Sequence, residues 1–251
     1  MMYPLLVSTL AGVSTAVGAF IVIMAGRIND REMSVAQGFA AGVMLAVSVM
    51  DILPESYSGY FVYMNQINAL KSVASLFITG WVMGLALSSA AVPGQTDYTD
   101  KKDTVGRMAV ITTLVMVFHN MPEGVLTFFA STTDAVAGAK MALAVALHNI
   151  PEGMAIAAPV LYVTASRGRA FLRAFIAGMA EPLAGLLAYV ALHSYMSPAF
   201  LNGVMPVVAG IMCQAAICEL IPNSVRISNI KHTFCGIIYG IIVMSLGLLL
   251  F

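Results

Sequence analysis

The chain has 251 residues, of which 60% are hydrophobic and 10% charged, with 12 basic and 12 acidic side chains and a formal net charge of zero. A soluble domain carries about 25% charged and about 45–50% apolar residues, so a mean hydropathy of +0.90 excludes that class and points to a membrane protein. The balanced charge offers no hold for nucleic acid or for an acidic partner.

The hydrocarbon core of a bilayer takes about 20 residues of helix. Eight apolar runs of that size follow one another at roughly 3–26, 34–57, 71–91, 107–131, 137–162, 169–193, 199–222 and 232–251, which predicts one all-α, polytopic transmembrane domain over 1–251. No basic segment or cleavage pattern marks the first run as a removable signal, so it reads as a retained span. In the second run, AGVMLAVSVMDILPES from Ala41 aligns without a gap to AGIMCQAAICELIPNS from Ala209 in the seventh, matching Met44 to Met212, Asp51 to Glu219 and Pro54 to Pro222. Those two spans run in opposite directions, and an inverted repeat of this kind is the mark of a transporter with its site near the midplane. Asp51 and Glu219 then stand at opposite mouths, as entrance and exit carboxylates.

After the third run, VPGQTDYTDKKDTVG at 92–106 is the one substantial loop. Lys and Arg favour cytoplasmic loops. Placing the N-terminus outside puts every basic residue except Lys71 and Lys140 at an inner end, makes 92–106 cytoplasmic and leaves both termini external. The membrane is the plasma (inner) membrane.

The fourth and fifth runs carry the chemistry. FHNMPEG begins at Phe118 and HNIPEG at His148. At about 1.5 Å per residue, His119 and His148 lie roughly 18 Å into the bilayer, approached from opposite faces. An ionisable group at that depth costs about 3 kcal/mol on insertion scales, so these side chains must face one another or water. Residues four apart share a helix face, which stacks His119 on Glu123 and His148 on Glu152. Two imidazoles and two carboxylates form a ligand set for Zn²⁺ or another first-row dication, with no thiolate to select a soft metal. Asn120 and Asn149 point about 100° away and can add carbonyl oxygens to a second ion that shares the glutamates. Pro122 and Pro151 free the carbonyls of Phe118 and Leu147 and kink both helices, and Gly124 and Gly153 allow close helix approach. In the sixth run Glu181 lies at mid-depth beside Pro182 and joins the same site. The Met44 thioether is a weak candidate ligand, since methionine in a span ordinarily packs. His193 and His232 sit at loop ends and read as solvated, and Cys213, Cys218 and Cys235 as buried free thiols.

At these residues the sequence resembles the ZIP (Zrt-, Irt-like protein) family of divalent metal transporters, most closely its bacterial ZupT-like branch. The resemblance runs over nearly the whole chain, through HNMPEG, HNIPEG and the AGVM and DILPE pieces of the second run. It implies a 3+2+3 helix arrangement, a binuclear site on the fourth and fifth helices, and a homodimer. Carried over by motif, one ion takes His119, Glu123, His148 and Glu152 with Met44 as a neighbour. The other takes Asn120, Glu123, Asn149, Glu152 and Glu181. Many relatives have a His-rich loop between the third and fourth helices, and 92–106 has no histidine; some carry Asp where Asn149 stands, so the second ion loses a negative charge here.

The expected activity is uptake of zinc, with iron, manganese, cobalt and cadmium ions as further cargo and no resident cofactor. Protons compete for the same lone pairs, so uptake is expected to fall in acid. The chief rival is an intramembrane metal-dependent hydrolase. HExxH is absent, however, and both carboxylates are committed to the ion, leaving no general base. A metal-ion channel shares every sequence feature with the carrier. No nucleotide-binding loop suggests an ATP-driven pump.

Overall fold

A computed structural model describes residues 1–91, 101–192 and 197–249. Among the described residues, eight helices are long and apolar enough to cross a membrane: α1 Met2–Ala25, α2 Asp30–Tyr60, α3 Gln66–Ala91, α4 Lys101–Thr133, α5 Ala135–Thr164, α6 Arg167–Leu192, α7 at 198–227 and α8 Ile230–Leu249. Four of them, α2, α4, α5 and α7, outrun the hydropathic stretches at both ends, because hydropathy registers only the part that meets lipid. In the expected loop 92–106, residues 92–100 lie outside the described residues, as does His193. From Lys101 onward the stretch is already helix.

Capping accounts for the sharp turns. Asn29 accepts from the Glu32 amide while the Glu32 carboxylate takes the Asn29 N–H, so α2 starts on a reciprocal cap. Asp134, alone between α4 and α5, accepts from the amides of Val136 and Ala137. Those donors hold its carboxyl below the usual carboxylate range.

The helices pack as two sets. In one, α1, α4, α5 and α6 pack on each other; in the other, α2 packs on α8 and α7, and α3 on α7. Glycine decides which helices come this close. The Thr15 backbone of α1 occupies the space a side chain on Gly153 would need, and the Glu181 backbone of α6 does the same at Gly124. Gly38 and Gly42 of α2 receive the backbone of α8 at Thr233 and Ile237 in the same way. Among the described residues, every glycine filled by another helix's backbone has its partner inside the same set. Across the seam, α2 meets α5 and α4 meets α7 through an apolar cluster that includes Met44, Met116, Ile156 and Val208.

The internal echo has a backbone counterpart. Just before Pro54 the Leu53 N–H bonds the Ser48 carbonyl, and just before Pro222 the Ile221 N–H bonds the Ala216 carbonyl, so each helix holds one wide π-turn. The two turns fall at equivalent positions of the repeat. Near the other end of α2, the hydroxyls of Ser34, Ser224 and Thr233 bond one another at 2.7–3.2 Å, joining α2, α7 and α8. This contact places the start of α2 beside the end of α7, so the two copies are antiparallel.

Two expectations need correction. Of the three free cysteines only Cys213 is buried; Cys218 is half-buried and Cys235 lies on the outer surface of the bundle, because a thiol is apolar enough to face lipid as readily as core. His232 is half-buried and not merely solvated, with Nδ1 3.0 Å from the Ser228 hydroxyl one turn earlier.

Candidate metal centre

Both HNxPEG motifs lie inside unbroken helices, with Pro122 within α4 and Pro151 within α5. The i,i+4 spacing turns each His–Glu pair to the α4–α5 contact. His119 Nε2 lies 3.2 Å from Glu123 Oε1 on its own helix and 3.0 Å from Glu152 Oε1 on α5. His148 Nε2 lies 3.1 Å from the same Glu123 oxygen. These separations are close to the edge of about 3.3 Å expected for a tetrahedron of nitrogen and oxygen donors built on bonds of about 2.0 Å. His119, Glu123 and Glu152 offer ligand atoms that all lie within 4.8 Å of one another. All four side chains are at most 3% exposed.

The donors of this cluster outnumber the hydrogens available to join them. His119 Nε2 meets two carboxylate oxygens, yet a neutral ring nitrogen has at most one hydrogen to give. Glu123 Oε2 and Glu152 Oε2 are buried with no partner. Carboxylates in that condition are tolerated only when something neutralises them. A dication among the four donors would do so.

The remaining expected residues sort by place. Asn149 donates through Nδ2 to Glu181 Oε1 and, at 3.0 Å, to the Ala11 carbonyl of α1. Asn120 Nδ2 donates to the Ala177 carbonyl of α6 at 3.1 Å. In both amides the oxygen is left unpaired, as is Glu181 Oε2, and all three are buried. The structure thus brings Asn149 and Glu181 into contact and ties Asn120 to the helix that carries Glu181. Met44 is fully buried in the apolar cluster along the seam, with no polar partner.

Asp51 and Glu55, one turn apart on α2, line a cavity of about 30 Å³ with Val47, Met141, Glu123 and His148, room for about one water. This cavity reaches the cluster from the end of the bundle that holds the α4–α5 turn. Glu219 lies toward the other end, within the electrostatic reach of Arg107 and Arg226. The two repeat carboxylates therefore occupy opposite sides of the cluster.

Sequence reasoning passed over Gln37. It is fully buried in α2 and donates through Nε2 to the Ala155 carbonyl of α5 at 2.7 Å. The available signal was an amide near the start of an apolar span, seven residues before Met44.

Comparison with known proteins bears on the same residues. A family model described as "ZIP Zinc transporter" matches residues 87–247, which include both HNxPEG motifs and Glu181. The Zinc transporter ZupT of Chlorobium phaeovibrioides is 35% identical over 262 residues, covering 99% of this chain and 98% of that protein. The Zinc transporter ZupT of Escherichia coli O7:K1 is 35% identical, covering 100% of this chain and 97% of its own length. That of Chlorobium chlorochromatii is 31% identical, covering 96% and 94%.

Proposed function

The chain belongs to the ZIP zinc transporter family, and from that premise we propose that it moves Zn²⁺ across the membrane through the buried cluster of His119, Glu123, His148 and Glu152. It is a multi-pass transporter and not an enzyme. One observation carries the reading: contacts of 3.0–3.2 Å link Glu152 to His119, His119 to Glu123 and Glu123 to His148 across two helices in a fully buried setting, with the second carboxylate oxygens unpaired.

Each helix supplies one imidazole and one carboxylate, so the ion is held between α4 and α5 and shifts as they shift. Asn120, Asn149 and Glu181 form a second position that shares the glutamates, supported by their three unpaired buried oxygens. Met44 flanks the first ion. Donors of this type accept Fe²⁺, Mn²⁺, Co²⁺ and Cd²⁺ as well, since nothing in the set is selectively soft. The positive-inside bias places both termini outside the inner membrane, and the family resemblance supports a homodimer. The absence of glycine locks across the seam among the described residues supports alternating access in which the set carrying α4 and α5 moves against the other.

The test is uptake by the purified protein in proteoliposomes. Saturable zinc entry, competed by iron, manganese, cobalt or cadmium, is the expected result. Single-channel currents would identify a channel instead, and turnover of a peptide by the purified protein would restore the hydrolase.

Asp51 and Glu219 serve this path as entrance and exit groups. Asp51→Asn is expected to lower uptake several-fold at limiting zinc while equilibrium binding at the cluster is retained, because Asp51 lines the cavity that reaches His148 and is not one of the four central donors. Glu219→Gln is expected to slow release and lower the maximal rate. Unchanged initial rates in both variants would remove this role.

A further inference from the structure

The two halves of the seam differ. Toward the outer face the cavity beside Asp51 and Glu55 separates α2 from the cluster. Toward the face that carries the α1–α2 turn, polar bonds tie the helices together. Ala155 lies three residues past Glu152, about 4.5 Å further along α5. Its carbonyl would ordinarily accept the N–H of residue 159, but that residue is Pro159 and has none. Gln37 Nε2 takes the vacant place at 2.7 Å. Seven residues further along each helix, the Tyr162 hydroxyl donates to Asp30 at 2.9 Å.

We infer that Gln37 is the positioning residue of an inner gate: its amide holds α2 against the carbonyl that Pro159 leaves bare, closing the path from the His/Glu cluster to the cytoplasmic face. The inference rests on the transport reading and deepens it. Three observations separate a gate from a staple. The bond crosses the seam, where no glycine among the described residues locks helix to helix. Its acceptor lacks the usual i+4 donor within α5, so parting the helices leaves amide and carbonyl bare until water reaches them, and water arrives only when the inner path opens. Finally, Gln37 Oε1 is buried with no partner. That oxygen stands about one turn below Glu152, where the hydration shell of a departing cation re-forms.

The experiment reads the gate directly. In the full chain with Cys213→Ala, Cys218→Ala and Cys235→Ala, the change Ala41→Cys places a thiol one turn from Gln37 toward Met44. A membrane-impermeant thiol reagent is applied to vesicles on the face that carries Arg27 and Arg31. Gln37→Ala is expected to raise the labelling rate roughly tenfold, the equivalent of one buried hydrogen bond. Pro159→Ala gives the Ala155 carbonyl an N–H of its own helix and should raise labelling as well. Because both changes remove the same bond, the double variant should go no higher than the larger single effect. Unchanged labelling in both single variants, additive effects in the double, or an equal rise when the reagent acts from the opposite face overturns the gate. Zinc uptake by the same vesicles without reagent tests the transport reading separately, so either can fail alone.

Discussion

Replacing Glu123 by alanine is expected to lower zinc uptake by more than about 100-fold, a loss larger than that of any other single change at the cluster. Losing an outer-shell partner of a metal ligand typically costs 10–100-fold in affinity or activity, so loss of a direct donor should exceed that range. Glu123 is singled out by geometry. One of its oxygens lies 3.2 Å from His119 Nε2 and 3.1 Å from His148 Nε2, so it bridges the imidazoles of both helices. Without it, α4 keeps one nitrogen donor and α5 its own pair, and the cluster loses one of its two charges. Glu123→Gln keeps the shape and one carbonyl oxygen and should retain more binding than alanine. Asn120→Ala, which removes a bond to the Ala177 carbonyl and leaves the four central donors in place, should cost far less. The measurement is the initial rate of radiolabelled zinc entry into proteoliposomes, with zinc affinity of the detergent-purified protein beside it. If Glu123→Ala keeps a tenth of the wild-type rate while running as a single folded species, the ion does not pass through this cluster.

Gly153→Val is expected to abolish stable folding, for a reason unconnected with metal. The Thr15 carbonyl and backbone stand where the added Cβ must go. Backbone cannot swing aside as a flexible side chain can, so α1 must lift from α5. The same helix face is held by Gly18 against Ile150 and by Gly12 against Gly178, so the displacement spreads along α1. Overpacking ordinarily costs about 1–3 kcal/mol where side chains can adjust. A backbone collision should exceed the upper figure and lower Tm by roughly 10 °C or more, or yield no monodisperse protein. Gly168→Ala is the control: nothing lies within 4 Å of the added Cβ, and alanine is the better helix former. Equal melting curves for Gly153→Val and the wild type would show that α1 and α5 are not in contact here.

Much of the centre is legible in the sequence because two periodicities suffice for it. Depth follows from counting residues along a helix, and facing follows from the four-residue interval between His119 and Glu123 and between His148 and Glu152. Eight spans follow from lipid thickness, and the relation of Asp51 to Glu219 from a gapless alignment of two segments. What the sequence withholds is pairing across helices. Nothing in HNMPEG or HNIPEG says that His119 approaches Glu152 as closely as it approaches Glu123, because that depends on the relative rotation of α4 and α5. Pro54 and Pro222 announce a disturbed helix; they do not say that the disturbance is one wide turn in each copy. Gln37 is opaque for the same reason. Its partner is a carbonyl made available by a proline 122 residues further along the chain, and only the folded seam brings the two together. Met44 shows the limit from the other side: burial is plain, but a thioether in an apolar cluster looks the same whether or not an ion passes it.

The sorting of helices into two glycine-locked sets also fixes an order of events during biosynthesis. The groove of Gly38 and Gly42 on α2 is filled by α8, whose residues leave the ribosome about 200 positions later, and α1 must likewise wait for α5 and α6. Chains emerge N-terminal end first and at finite speed, so the early helices spend seconds in lipid with their tightest docking surfaces open. A membrane chaperone or protease that reads exposed small-residue grooves would therefore distinguish an interrupted chain from a completed one.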